Sequence, residues 1–243
     1  MSGLGTATTV DARDRLFVAL DMPTVDGARR LVEVLGDTVN CYKIGLELLF
    51  GGGLVFAQGL KAAGRTVFLD MKLLDIGNTV EKATRNIANL GLDYLTVHGT
   101  DAKTLDAAVK GRASSRLKLL AVTVLTNLDQ TDLLQQGVNG TSPADLVVHR
   151  ARLARNAGFD GVVASGHEAA MIRRAVGDGF LIVTPGIRPA GGAARDQTRV
   201  MTPTASIAAG ATHLVIGRPI SEAADPAAAA SKVVAEIAAA APS

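Results

Sequence analysis

Thr66-Val67-Phe68-Leu69-Asp70-Met71-Lys72-Leu73-Leu74-Asp75-Ile76-Gly77-Asn78-Thr79 carries the reading of the whole chain. Its opening is an apolar, partly β-branched run that reads as a buried strand over 66–71. Side chains alternate across a strand, which puts Phe68, Asp70 and Lys72 on one side and Val67, Leu69 and Met71 on the other. Opposite charges at the end of a hydrophobic strand are costly to desolvate unless they pair. A further acid, Asp75, follows within a turn's reach, and helical periodicity sets in at Asn78.

Short apolar runs of the same kind recur on both sides of this stretch, at 16–20, 41–46, 94–98, 119–125, 161–165, 181–184 and 213–217. Helical patterns separate them, among them 25–35, 78–90, 102–110 and 143–157. Strands alternating with helices predict parallel βαβ units, and continuously apolar strands predict a sheet covered on both faces. Eight such units in 243 residues match the size of a (β/α)8 TIM barrel. A doubly wound open sheet has the same alternation, but the first strand is followed by Asp21-Met22-Pro23-Thr24 and not by a Gly-rich dinucleotide fingerprint. No linker-like shift in composition divides the chain. The expected fold is one α/β barrel domain over 1–243, with residues 1–12 as a flexible N-terminus.

Composition narrows the function classes. Net charge is +2 and only 3% of residues are aromatic, without a basic stretch interleaved with aromatics, so a nucleic-acid surface is not expected. The single cysteine, Cys41, cannot form an internal disulfide, and a cytoplasmic setting is the simplest reading. The start of the chain has no signal-peptide pattern, and no apolar run is long enough for a membrane span. The Ala-rich end reads as an amphipathic helix, because Lys232 and Glu236 recur at helical spacing.

In a barrel of this kind, polar residues at the carboxyl ends of strands read as catalytic. Asp21 ends the first strand, Lys43 lies within the second, and Asp70 and Lys72 finish the third. His98 ends the fourth, Thr126 follows the fifth, and Arg218 follows the eighth. Each has a structural alternative. Asp21 and Thr126 could shape turns, Lys43 could snorkel to the rim, Asp70 and Lys72 could form a structural ion pair, and His98 reads better as a satisfied core histidine. Convergence weighs against those alternatives for the charged set, since two lysines and three acids, Asp75 included, meet at one mouth. Lysines alternating with carboxylates repel a cation, and Glu47 has no His or Cys partners, so no metal is expected. For phosphate, Gly217 permits close backbone approach and Arg218 can bind bidentately. Arg188 and Gln197 lie on a long glycine-rich connection after the seventh strand, placed to act as a binding loop.

Taken together, these residues resemble the orotidine 5'-phosphate decarboxylase family over nearly the whole chain. The resemblance runs through Phe17-Val18-Ala19-Leu20-Asp21, Tyr42-Lys43-Ile44-Gly45, Thr184-Pro185-Gly186-Ile187-Arg188-Pro189 and Gly217-Arg218-Pro219-Ile220. The most specific piece is Asp70-x-Lys72-x-x-Asp75-Ile76-x-Asn78-Thr79; its first half is shared with sugar-phosphate enzymes of the same superfamily, which use magnesium. The resemblance implies cofactor-independent decarboxylation of orotidine 5'-monophosphate to UMP and carbon dioxide in pyrimidine biosynthesis. It implies a charge network of Lys43, Asp70, Lys72 and Asp75, with Lys72 as proton donor and Asp70 beside the departing carboxylate. It also implies a homodimer in which Asp75 and Thr79 serve the neighbouring site. Asp21 and Lys43 are the implied ribose contacts, Thr126 the pyrimidine contact, and Arg188, Gln197, Gly217 and Arg218 the loop and phosphate contacts. Leu74 and Gly77 stand where many bacterial members have histidine and proline.

Overall fold

A computed structural model of the chain describes residues 10–189 and 201–240. Its first strand, Leu16–Ala19 (β1), divides its side chains between two cores. Phe17 and Ala19 join an inner cluster with Phe68, Tyr94, Val183 and Val215, whereas Leu16 and Val18 belong to a much larger outer one. The strands that follow are Cys41–Ile44 (β2), Thr66–Leu73 (β3), Tyr94–His98 (β4), Lys118–Val122 (β5), Gly161–Val163 (β6), Leu181–Thr184 (β7) and His213–Ile216 (β8). All are parallel, each pairs with its neighbours in sequence, and β8 closes on β1. The fold is the closed eight-stranded barrel with surrounding helices, and not the open sheet.

Period-two alternation explains the two cores. Inside the barrel, the Phe17 ring packs edge-on against Phe68 at 5.3 Å and against Tyr94 at 5.1 Å, and it stacks on His213 at 5.6 Å. Outside, apolar strand residues meet helix residues such as Leu31, Val80, Leu105 and Ala151. Each fully buried side chain of the size of Leu or Phe stabilises the fold by roughly 1.5–3 kcal/mol relative to exposure.

Capping sets where helices begin. Thr24 accepts from Gly27 N ahead of Val25–Leu35, Asp101 from Thr104 N ahead of Ala102–Arg112, and Ser142 from Asp145 N ahead of Pro143–Ala157. Helices Gly77–Asn89 and Ala102–Arg112 lie especially close, because a β-carbon at Gly111 would run into the Glu81 carbonyl.

Several strand ends differ from the sequence expectation. β2 stops at Ile44, not 46, because Gly45 turns the chain into a short helix, Leu46–Leu48. β6 stops at Val163, since Ser165 caps the 3-10 turn Gly166–Glu168. β3 runs on to Leu73 by way of an irregularity. The pairs Leu69↔Leu95 and Leu73↔Val97 leave Asp70, Met71 and Lys72 opposite Thr96 alone. At the N-terminus, residues 1–9 fall outside the described residues, while Asp11 caps a 3-10 turn at Ala12–Arg15.

Candidate active site

The carboxyl ends of the strands surround a cavity of about 600 Å³, within the usual range for small-molecule sites. Eight of the residues singled out from the sequence line it: Asp21, Lys43, Asp70, Lys72, Thr126, Arg188, Gly217 and Arg218. Phe68 and Val215 supply an apolar floor.

Charge alternates along the cavity wall. Lys43 Nζ donates to Asp21 Oδ1 at 2.7 Å and Oδ2 at 3.0 Å, and it lies 3.6 Å from Asp70 Oδ2. Lys72 Nζ donates to the same Asp70 oxygen at 2.8 Å. The result is a row, Asp21–Lys43–Asp70–Lys72, that runs from a half-exposed acid to a partly exposed ammonium through the buried Lys43 and the largely covered Asp70. Buried pairs of this kind add little net stability over apolar packing, which makes their retention informative about chemistry. Burial disfavours a charged Asp70, but the ammonium groups of Lys43 and Lys72 outweigh it. Together with hydrogen bonds from Lys72 and Thr96, they hold the carboxyl below its ordinary value. Asp70 is therefore an anion, locked between two cations, across the neutral range.

The irregularity in β3 aims these groups. Lys72 has φ +50°, a left-handed conformation uncommon outside glycine. Its N–H donates not to a strand carbonyl but to Thr96 Oγ1, at 2.9 Å, and the same hydroxyl donates to Asp70 Oδ1, at 2.9 Å. Asp70 and Lys72 share the cavity as the sequence predicted, although the strand between them is not regular.

Other expectations fall elsewhere. Asp75 and Thr79 are exposed and are not part of this cavity's wall; Asp75 Oδ1 accepts from the following Ile76 N at 2.6 Å. Gln197 lies outside the described residues, as does most of the long connection after β7. His98 does not line the cavity. It is half-buried, and burial, together with Lys72 and Arg150, lowers its pKa, which keeps it neutral near pH 7. Among the described residues, no group of three or more His, Cys, Asp or Glu side chains could hold a metal ion, and no helix is long and apolar enough to cross a membrane.

Two residues that serve the site were not singled out. Thr96 sits in a strand, where threonine is an ordinary occupant, so nothing in the sequence marks it. Gly45 lies against the Asp21–Lys43 pair, where a β-carbon would come within 2.6 Å of Asp21 Oδ1. Glycine at a strand end signals a close approach, but the sequence does not say to what.

Comparison with known proteins agrees with this geometry. Residues 14–233 match the model of the orotidine 5'-phosphate decarboxylase / HUMPS family. The chain is 55% identical over 228 residues to the orotidine 5'-phosphate decarboxylase of Rhodopseudomonas palustris (strain BisA53), covering 94% of this chain and 96% of the relative. It is 56% identical over 229 residues to that of Methylobacterium sp. (strain 4-46), covering 93% and 96%. Among solved structures, the orotidine 5'-phosphate decarboxylase of Lactobacillus acidophilus superposes with a TM-score of 0.79 at 34% identity, covering 91% of this chain and 98% of the other. A closed barrel with a lysine set between acids at its mouth, and these similarities along nearly its full length, place the chain in the orotidine 5'-phosphate decarboxylase / HUMPS family.

Proposed function

We propose that the protein decarboxylates orotidine 5'-monophosphate to UMP without a cofactor. The observation that carries this reading is the row Asp21–Lys43–Asp70–Lys72, which ends in an ammonium at the cavity. Losing carbon dioxide leaves an electron pair on a ring carbon. A fixed cation stabilises that developing charge, and the same cation can deliver the proton that quenches it. In this step the carbon–carboxylate bond breaks, a carbon–hydrogen bond forms, and Lys72 passes from ammonium to amine before solvent reprotonates it. Asp70 keeps Lys72 oriented and lies where the substrate carboxylate departs.

Asp21 and Lys43 face the ribose hydroxyls in this reading, and Thr126 faces the pyrimidine edge. Arg188, Gly217 and Arg218 hold the phosphate, with Gln197 from the long connection. Binding energy at a phosphate remote from the reacting carbon is used to exclude water and fix geometry. The sugar-phosphate branch of the family is disfavoured, because Lys43 lies between Asp21 and Asp70 and occupies the space where carboxylates would gather a divalent ion.

We further infer a homodimer that completes the site. Leu46, Phe50, Leu54, Val55, Leu74 and Ile76 are exposed apolar side chains in the segments that follow the paired strands β2 and β3. Asp75 and Thr79 lie in the segment that follows β3, are exposed and do not line their own chain's cavity, as residues serving a neighbour would. The lone buried thiol of Cys41 and the biosynthetic reaction favour the cytoplasm.

The test is the loss of substrate ultraviolet absorbance on incubation with purified protein. Turnover should survive EDTA, and Lys72→Ala should lower it by at least ~100-fold. No turnover by the wild type, a strict magnesium requirement, or full activity of the variant would each refute the reading.

A further inference from the structure

We propose that Thr96 is a positioning residue for the reaction, and that its one hydroxyl group fixes both the carboxylate and the ammonium-bearing residue of the Asp70–Lys72 pair. The inference rests on the decarboxylase reading above. It deepens that reading by assigning a role on β4, a strand that supplies no residue to the cavity wall.

Thr96 is completely buried. It follows Tyr94 on the inner side of the barrel, at the level where β3 leaves its regular pairing. Three β3 residues bulge there against Thr96 alone, and the register shift leaves the Lys72 N–H to find an acceptor outside the strand ladder. A buried N–H needs such an acceptor. The Thr96 hydroxyl provides it, and its single proton goes to Asp70 Oδ1.

The consequences converge on Lys72. Asp70 has two oxygens with separate duties: Oδ2 receives Lys72 Nζ and faces Lys43, while Oδ1 is held by Thr96. With Oδ1 anchored, the carboxylate cannot rotate away from the ammonium it orients. The Lys72 backbone is pinned through the same oxygen in a left-handed conformation, and this sets the direction in which the side chain leaves the strand. Carboxylate and proton donor are thus registered against one atom of a neighbouring strand. An error of 1 Å in placing a reacting group costs up to ~100-fold in rate, so a device of this kind acts on the chemical step more than on binding.

Valine has the shape of threonine and lacks the hydroxyl; serine keeps the hydroxyl and lacks the methyl group. For Thr96→Val we expect kcat to fall ~10- to 100-fold with KM for orotidine 5'-monophosphate within about threefold of wild type. For Thr96→Ser we expect kcat within about threefold of wild type. If the valine variant does not fold, Thr96→Ala takes its place, with the same expectation. Three outcomes overturn the inference: a hydroxyl-free variant within about twofold of wild-type kcat, a serine variant as impaired as valine, or a loss that falls on KM alone. An inactive wild-type chain overturns the decarboxylase reading together with this one; an active wild type with an undiminished hydroxyl-free variant overturns only the role of Thr96.

Discussion

A β-carbon at Gly45 would lie 2.6 Å from Asp21 Oδ1 and 2.9 Å from Lys43 Nζ, closer than such atoms tolerate. Both obstacles are the free ends of side chains, and the Asp21 side chain is half exposed. The fold can therefore accept a methyl group there by moving them, but the ion pair cannot stay where it is. Gly45→Ala should leave Tm within about 4 °C of wild type. It should also lower kcat/KM ~10- to 100-fold, because both displaced groups belong to the site. Thermal unfolding monitored beside steady-state kinetics checks this, and an alanine variant with wild-type kcat/KM would show that the pair's placement is unimportant. The same residue shows where sequence reading stops. Lys43 announces itself as a lysine inside an apolar strand, whereas the need for Gly45 arises only when Asp21, from the turn that follows β1, comes to lie beside it.

At the scale of elements, β3 and the barrel floor show what periodicity reveals and what it does not. The alternation from Phe68 to Lys72 put Phe68, Asp70 and Lys72 on one side, and all three line the cavity. It could not show the register shift opposite Thr96, because a bulge depends on the partner strand's hydrogen bonds and not on the hydropathy of either strand. The inner face also divides by depth. At the mouth, charges persist because they pair. At the floor, burial forces neutrality: it pushes the Cys41 thiol up to about 12, and it lowers His213 on β8 to about 4, with Lys118 and Arg15 adding to the effect. An unfolded histidine titrates near 6.5, so between pH 6.5 and about 4 the unfolded chain binds a proton that folded His213 refuses. Stability therefore falls as pH drops through that window, by about 3 kcal/mol from this group in total, and is unaffected by it above. Denaturant unfolding at a series of pH values should show a shallower acid slope for His213→Asn than for wild type. Identical slopes would mean that His213 is not held neutral.

For the whole molecule, the sequence conveyed the barrel well, because eight apolar strands with helices between them leave few alternatives. It conveyed the site through charged residues placed where apolar ones belong. Among the described residues, Lys72 Nζ pairs with a single acid, Asp70. Asp75 follows the strand that bears Lys72, yet its carboxylate turns back to its own backbone, amid exposed Leu74 and Ile76. If a second copy covers that surface and the Phe50 and Val55 side chains beside β2, Asp75 of each chain reaches the other's cavity. A dimer of Asp75→Asn chains and a dimer of Lys72→Ala chains would then each be nearly inactive, since every site lacks one group. In a mixed dimer, one site would lack both groups and the other would have both. Mixing the two variants under conditions that exchange subunits should restore activity to about one quarter of wild type, because random pairing makes half the dimers mixed and each has one intact site. Heterodimers verified by differential tags that show no recovery would place Asp75 in its own chain's site or outside the chemistry. Phe50→Asp supplies an independent arm: a charge on that surface should shift the protein to monomer in sedimentation and lower activity with it, whereas an active monomer would sink the shared site.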